Sequence, residues 1–340
     1  MGENATRALQ WRVSERASAL HSNSIVCDLT LPWGPGYENK ETVLDRYRRS
    51  GATFVSLTIG SDWVDLGATM HNIAETKARL RAESDKFVFV KTVEDIERAK
   101  AEGKLGIGFH FQGTEGLEGD KNMVHLYYEL GVRHMLLAYN ARNRAADGCH
   151  DRTDCGLSRY GVRLIEEMNR AGMILDLSHT GYRTTIEAME VSQAPVMFSH
   201  SNANALKPHA RNIKDDQIKA CARKGGLIGI NGVGHFLGDN DDSVGNIVRH
   251  IDYVAELVGP EHVGLGMDFV YYLDTLHRRF LANPDKFSEG YPKAMGDRRY
   301  APPEQLPKVT EALLERNYSE KEIRWILGEN FLRLARQVWK

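Results

Sequence analysis

Short apolar runs rich in β-branched residues alternate along most of the chain with amphipathic stretches. The runs are Ser24–Leu31, Thr53–Ile59, Leu105–Phe111, Val132–Ala138, Met173–His179, Pro195–His200, Gly226–Asn231 and His262–Asp268. Continuous apolar runs of this length, bounded by Gly, Pro or Asn, read as strands buried on both faces. Helical periodicity fills the gaps over Glu41–Arg49, His71–Glu83, Val93–Glu102, Asn122–Leu130, Arg159–Ala171, a segment ending at Arg223, and Val244–Val258. Strands separated one from the next by helices demand parallel pairing, and eight of them predict an α/β fold of the (β/α)8 TIM-barrel type. No Gly-x-Gly-x-x-Gly follows the first strand, which counts against an open dinucleotide-binding sheet.

No low-complexity linker or internal repeat divides the chain, so residues 1–340 are expected to form a single barrel domain. Three additions to the barrel are predicted: an N-terminal helical extension over about 1–22, a long loop over about 269–301, and closing helices over about 303–339. The long loop carries Tyr271 and Tyr272 and follows the last strand, where a substrate lid is the expected role.

Composition adds mainly exclusions. With 42% hydrophobic and 26% charged residues, the 340-residue chain has the make-up of an ordinary globular protein. Its 44 basic and 46 acidic residues nearly cancel, so no global field favours nucleic acid or an anionic membrane. The expected partner is a small molecule. No stretch has the length and apolarity of a membrane span or a signal sequence, which leads to the expectation of a cytoplasmic protein. Cys27, Cys149, Cys155 and Cys221 form no Cys-x-x-Cys pair and are expected to be free thiols.

Chemistry enters at the strand ends. Two successive strands stop at Ser-His, giving His179 and His200, and the other ends carry Asp28, Thr30, Glu115, Tyr139, Asn231 and Asp268. Active sites of such barrels lie at the C-terminal ends of the strands. Carboxylates and imidazoles gathered there suit a divalent metal with an open position for water. Side chains alternate along a strand, so Asp28 and Thr30 share a face. His110, His134 and His209 are expected to be structural; His235, close after the seventh strand, is a weaker candidate for the pocket.

Six segments taken in order resemble the signatures of the membrane (renal) dipeptidase family, peptidase family M19, among the metal-dependent amidohydrolases. They are Gly113-Thr114-Glu115-Gly116, Asp176-Leu177-Ser178-His179, Phe198-Ser199-His200-Ser201, Ala210-Arg211-Asn212, Gly264-Leu265-Gly266-Met267-Asp268-Phe269 and Gly328-Glu329-Asn330-Phe331. The resemblance implies a dipeptidase with a binuclear zinc site, and two departures from the family pattern leave one or two zinc ions per chain as the expectation. Glu115 would bridge the metals, His179 and His200 would complete the second site, Arg211 would bind the substrate carboxylate, Asp268 would move the proton, and Tyr139 would contact substrate; Asn231, from its place at a strand end, is a further candidate for substrate contact. It also suggests a homodimer.

Two departures stand out. Where the family usually has His-x-Asp this chain has Asp28-Leu29-Thr30, and Tyr139 stands where the family places a histidine. Asp28 is therefore a weak candidate ligand. The changes point to a divergent bacterial-type branch and open two other readings: a mononuclear hydrolase of another amide, lactam or ester, and a metal-free binding protein.

Overall fold

The computed structural model describes residues 2–282 and 298–340. Residues 283–297, part of the expected lid, lie outside the described residues. The strands are β1 (Cys27–Pro32), β2 (Phe54–Ser61), β3 (Phe87–Phe89), β4 (Leu105–Gln112), β5 (Val132–Leu136), β6 (Ile174–Asp176), β7 (Met197–Phe198), β8 (Leu227–Asn231) and β9 (Val263–Gly266). All pairings are parallel, in the order β1-β2-β4-β5-β6-β7-β8-β9, while β3 pairs with β4 alone. Asp268 N donates to Thr30 O at 3.2 Å, bringing the chain just past β9 back to β1. The result is a nearly closed eight-stranded barrel wrapped by helices.

Every position of β1, β2, β4, β5, β8 and β9 is buried. A parallel strand has the barrel interior on one face and helices on the other, so both alternating sets of side chains must be apolar or satisfied. That is why the runs read without alternation in the sequence. Strand β3 escapes such a reading because three residues inside a predominantly helical insert carry no periodic signal.

The N-terminal helices Glu3–Trp11 and Glu15–Asn23 are tied on by His21, whose ring nitrogens meet Thr310 Oγ1 at 2.8 Å and Ser50 O at 2.9 Å. The predicted closing helix Glu320–Trp339 is interrupted by a π-helical turn, Trp325–Glu329. Within that turn Gly328 lets backbone meet backbone: a Cβ there would stand 2.6 Å from Ile25 O. The stretch predicted as a long loop contains the helix Leu273–Ala282. No helix among the described residues is long and apolar enough to cross a membrane.

A candidate active site at the barrel mouth

The loops after β6 and β7 bring the predicted histidines together, with His179 Nε2 2.8 Å from His200 Nε2. Their outer nitrogens are held from behind. His179 Nδ1 lies 2.7 Å from Asn140 Oδ1, an oxygen that only accepts, so the ring donates there and turns a lone pair on Nε2 toward His200. His200 Nδ1 meets Ser199 Oγ at 2.6 Å and Thr30 Oγ1 at 3.0 Å, hydroxyls that can donate or accept. Burial holds both imidazoles neutral by pushing their pKa values down, for His200 to about 3. At 2.8 Å the His200 Nε2–H donates to that lone pair while His200 Nδ1 accepts from the hydroxyls, so a metal ion held by both neutral rings would have to displace this one proton.

The backbone below the pair is fixed by Asp176, whose Oδ1 accepts from Ser178 N at 3.1 Å and Ser199 N at 3.0 Å. Its Oδ2 faces His134 Nδ1 at 3.2 Å. From His134 a buried polar string runs through Ser56 and His110 to Thr58. His110 and His134 thus lie in a hydrogen-bonded string through the barrel interior.

Asp268 and Asn231 close the opposite rim. Asp268 has φ +53° and His179 φ +66°, left-handed values that cost a non-glycine residue energy and cluster at functional sites. Burial raises the Asp268 carboxyl to about 6, against the pull of Arg211 and a 3.2 Å hydrogen bond from Asn231 Nδ2. Arg211 is 2% exposed. Its Nη2 donates to His200 O at 3.2 Å, its guanidinium lies 5.4 Å from the Phe236 ring centre, and its Nε has no partner. Tyr139 stacks on His179 with ring centres 3.9 Å apart and meets Trp63 edge-on.

Two expected ligands are not brought to this pair. Asp28 is fully buried: Oδ1 accepts from Thr30 N at 3.2 Å and Met267 N at 2.8 Å, and Oδ2 accepts from Tyr47 OH at 2.7 Å. These bonds tie β1 to β9 where the barrel closes, and burial pushes the carboxyl up to about 7. A carboxylate whose two oxygens already accept three hydrogen bonds is a poor metal ligand. Thr30 supports the His200 imidazole instead.

Glu115 needs a plainer correction. It lies in a 3₁₀ turn beyond β4 and its side chain is exposed, so it bridges nothing at the pair. The β4 side chain that reaches the mouth is Gln112, which sequence reasoning missed. Alternation held the signal: Gln112 shares a strand face with His110, which points into the barrel. Asp62 was missed too, and it gathers Thr114 N, Glu115 N, Tyr139 N and the Asn143 side chain. It sets the loops that carry Tyr139, and burial raises it to about 6.

The mouth holds a cavity of about 290 Å³ whose walls include Pro32, Ile59, Trp63, Gln112, Phe236 and Tyr272. A second, polar cavity of about 250 Å³ is lined by Arg211, His209, Lys214 and Gln217. His179 lines both.

Among the described residues no three His, Cys, Asp or Glu side chains converge as a metal site. A binuclear zinc centre therefore does not fit: it needs a bridging carboxylate, and Glu115 and Asp28 are both elsewhere. One cation is the better match: the pair offers two imidazoles of the three protein ligands of an ordinary catalytic zinc site, each with its outer nitrogen already bonded.

The sequence model of the membrane dipeptidase family (peptidase family M19) matches residues 37–274. Dipeptidase aclJ of Aspergillus oryzae is 33% identical over 241 residues, 69% of this chain and 52% of that protein. An uncharacterized dipeptidase of Schizosaccharomyces pombe is 32% identical over 281 residues, 80% of this chain and 62% of its own. The chain thus spans about half to three-fifths of the curated dipeptidases it matches. Among solved structures, an amidohydrolase from Pseudomonas aeruginosa has 31% identity and a TM-score of 0.85, covering 95% of this chain and 99% of its own.

Proposed function

The chain belongs to the membrane dipeptidase family, and from that membership we propose that it hydrolyses small peptide-like amides with a free carboxylate, using one metal ion rather than two. The observation that carries this reading is the convergence of His179 and His200 beside Arg211 and Asp268, between two cavities. It favours the mononuclear alternative over the binuclear zinc dipeptidase. The metal-free binding protein is disfavoured by a His pair kept neutral and braced from behind.

In this reading His179 and His200 would hold the cation, zinc being suited to imidazole nitrogen though it ordinarily takes a third protein ligand. When bound, such an ion supplies Lewis acidity and acidifies water. The chain's own residues do the rest. Arg211, buried with Nε free, pairs with the carboxylate of the substrate's amine half from the polar cavity. Asp268, titrating near 6, accepts the proton of the attacking water and returns it to the leaving amine. Tyr139, stacked on His179, limits the rotation of that imidazole. The described cysteines are free thiols, as suits the expected cytoplasmic location.

A panel of dipeptides and other carboxylate-bearing amides tests the proposal. Hydrolysis is expected, and it should vanish in His179→Ala and His200→Ala while circular dichroism stays unchanged. Full turnover by either variant, or none by the wild type on any panel member, would remove the proposal.

A further inference from the structure

The strands that flank the larger cavity end in uncharged side chains: Pro32 on β1, Ser61 on β2 and Gln112 on β4 all line it. Above them the wall is apolar and aromatic, with Ile59, Trp63, Phe236 and Tyr272. The described acids on its lining are Asp65 and Asp268. Asp65 is committed to capping the helix Leu66–Ala82 through Ala68 N, and Asp268 lies within the fields of Arg211 and Arg298. An ammonium group entering here loses its water and meets only Asp268, a carboxylate already within the fields of Arg211 and Arg298 and engaged as the base of the proposed reaction.

Gln112 supplies the complementary half of the argument. It is 4% exposed, and its Nε2 has no hydrogen-bond partner. A buried donor left unpaired is destabilising, so its place in the wall makes sense when an acceptor arrives with a ligand. The cavity, at about 290 Å³, lies at the small end of the roughly 300–1,000 Å³ of small-molecule sites.

We propose that this cavity takes an uncharged, apolar acyl group whose carbonyl oxygen accepts from Gln112 Nε2, which makes N-acyl amino acids the preferred substrates over free dipeptides. This rests on the hydrolase reading above. The acyl half lies in the apolar cavity, the amino acid carboxylate lies at Arg211 in the polar one, and the scissile bond falls at His179, which borders both. Gln112 is then a positioning donor for the carbonyl and the determinant that rejects an α-ammonium.

Two compounds isolate the claim: 3-phenylpropanoyl-alanine and phenylalanyl-alanine differ only in the α-ammonium. For the full chain with its bound metal, kcat/KM is expected to favour the acyl compound by about tenfold or more. Gln112→Leu and Gln112→Met should each lower kcat/KM on the acyl compound by about tenfold, largely in kcat. Gln112→Glu should shift preference toward phenylalanyl-alanine. Preference of the wild type for the dipeptide, or unchanged acyl kinetics in both Gln112→Leu and Gln112→Met, would overturn the inference.

If the wild type hydrolyses neither compound, calorimetric binding of the same pair decides. Tighter binding of the acyl compound that weakens in Gln112→Leu upholds the cavity assignment while the hydrolase reading falls. Equal binding of the two compounds sinks the assignment as well.

Discussion

The two halves of the barrel mouth are built from the same strand-and-loop unit and end in opposite chemistry. Past β6 and β7 the chain places two imidazoles with their outer nitrogens bonded and their inner nitrogens 2.8 Å apart. At the ends of β1, β2 and β4 it places proline, serine and an amide beneath an aromatic wall. The frame is common to both, so the choice between holding an ion and holding an apolar group rests on one or two side chains per strand end. Asp28 shows how far the change goes: the carboxylate nearest the expected first-metal site secures the barrel seam instead.

The sharpest way to break the contrast is at the imidazoles. His179→Ala and His200→Ala are each expected to lower kcat/KM by about a thousandfold or more, with loss of bound metal measured on the same samples. Arg211→Ala should follow at about a hundredfold, from losing a charged partner of the substrate carboxylate; amidating that carboxylate should cost the wild type as much and the variant little.

A subtler probe is pH. If Asp268 is the base of the proposed reaction, activity should fall as pH drops through about 6, where burial has raised its carboxyl. The Asn231 hydrogen bond lowers that value, so Asn231→Ala should move the acid limb of the kcat/KM profile upward. A limb that stays in place in the variant would detach Asp268 from the rate.

On the neutral side the expected effects are structural. Tyr47→Phe removes the donor to Asp28 and should destabilise the fold by about 1–3 kcal/mol in denaturant titration, leaving metal content unchanged. The Asp28 carboxyl is raised to about 7, so the folded state holds its proton more tightly than the unfolded chain does. Stability is therefore lost as pH rises through 7, and Tyr47→Phe should cost more at pH 8 than at pH 5 because the ionised carboxylate needs the donor most. Smallest of all, exposed Glu115→Gln should leave kcat/KM within about twofold.

Much of this frame is legible in the sequence because a strand buried on both faces must be apolar along its whole length. The helices Arg159–Ala171 and Val244–Val258 are equally legible from their periodicity and coincide with the observed bounds. The His pair can be read because two strands stop in the same Ser-His way. The neutral half is harder. Gln112 and Glu115 straddle one strand end: residue chemistry favours the carboxylate, strand alternation favours the amide, and the backbone follows alternation. Asp28 is hidden for another reason, since its partners Tyr47 and Met267 are distant in sequence and meet it only when the barrel closes. The two cavities, formed by loops from many strands, leave no local signal.

The central claim is that one half of the mouth holds a cation and the other does not. Metal analysis of the chain purified without chelators tests it most directly. The account predicts about one equivalent per chain, lost in His179→Ala and His200→Ala and retained in Glu115→Gln and Tyr47→Phe. Two equivalents in the wild type, none at all, or metal that departs with Glu115→Gln would contradict it.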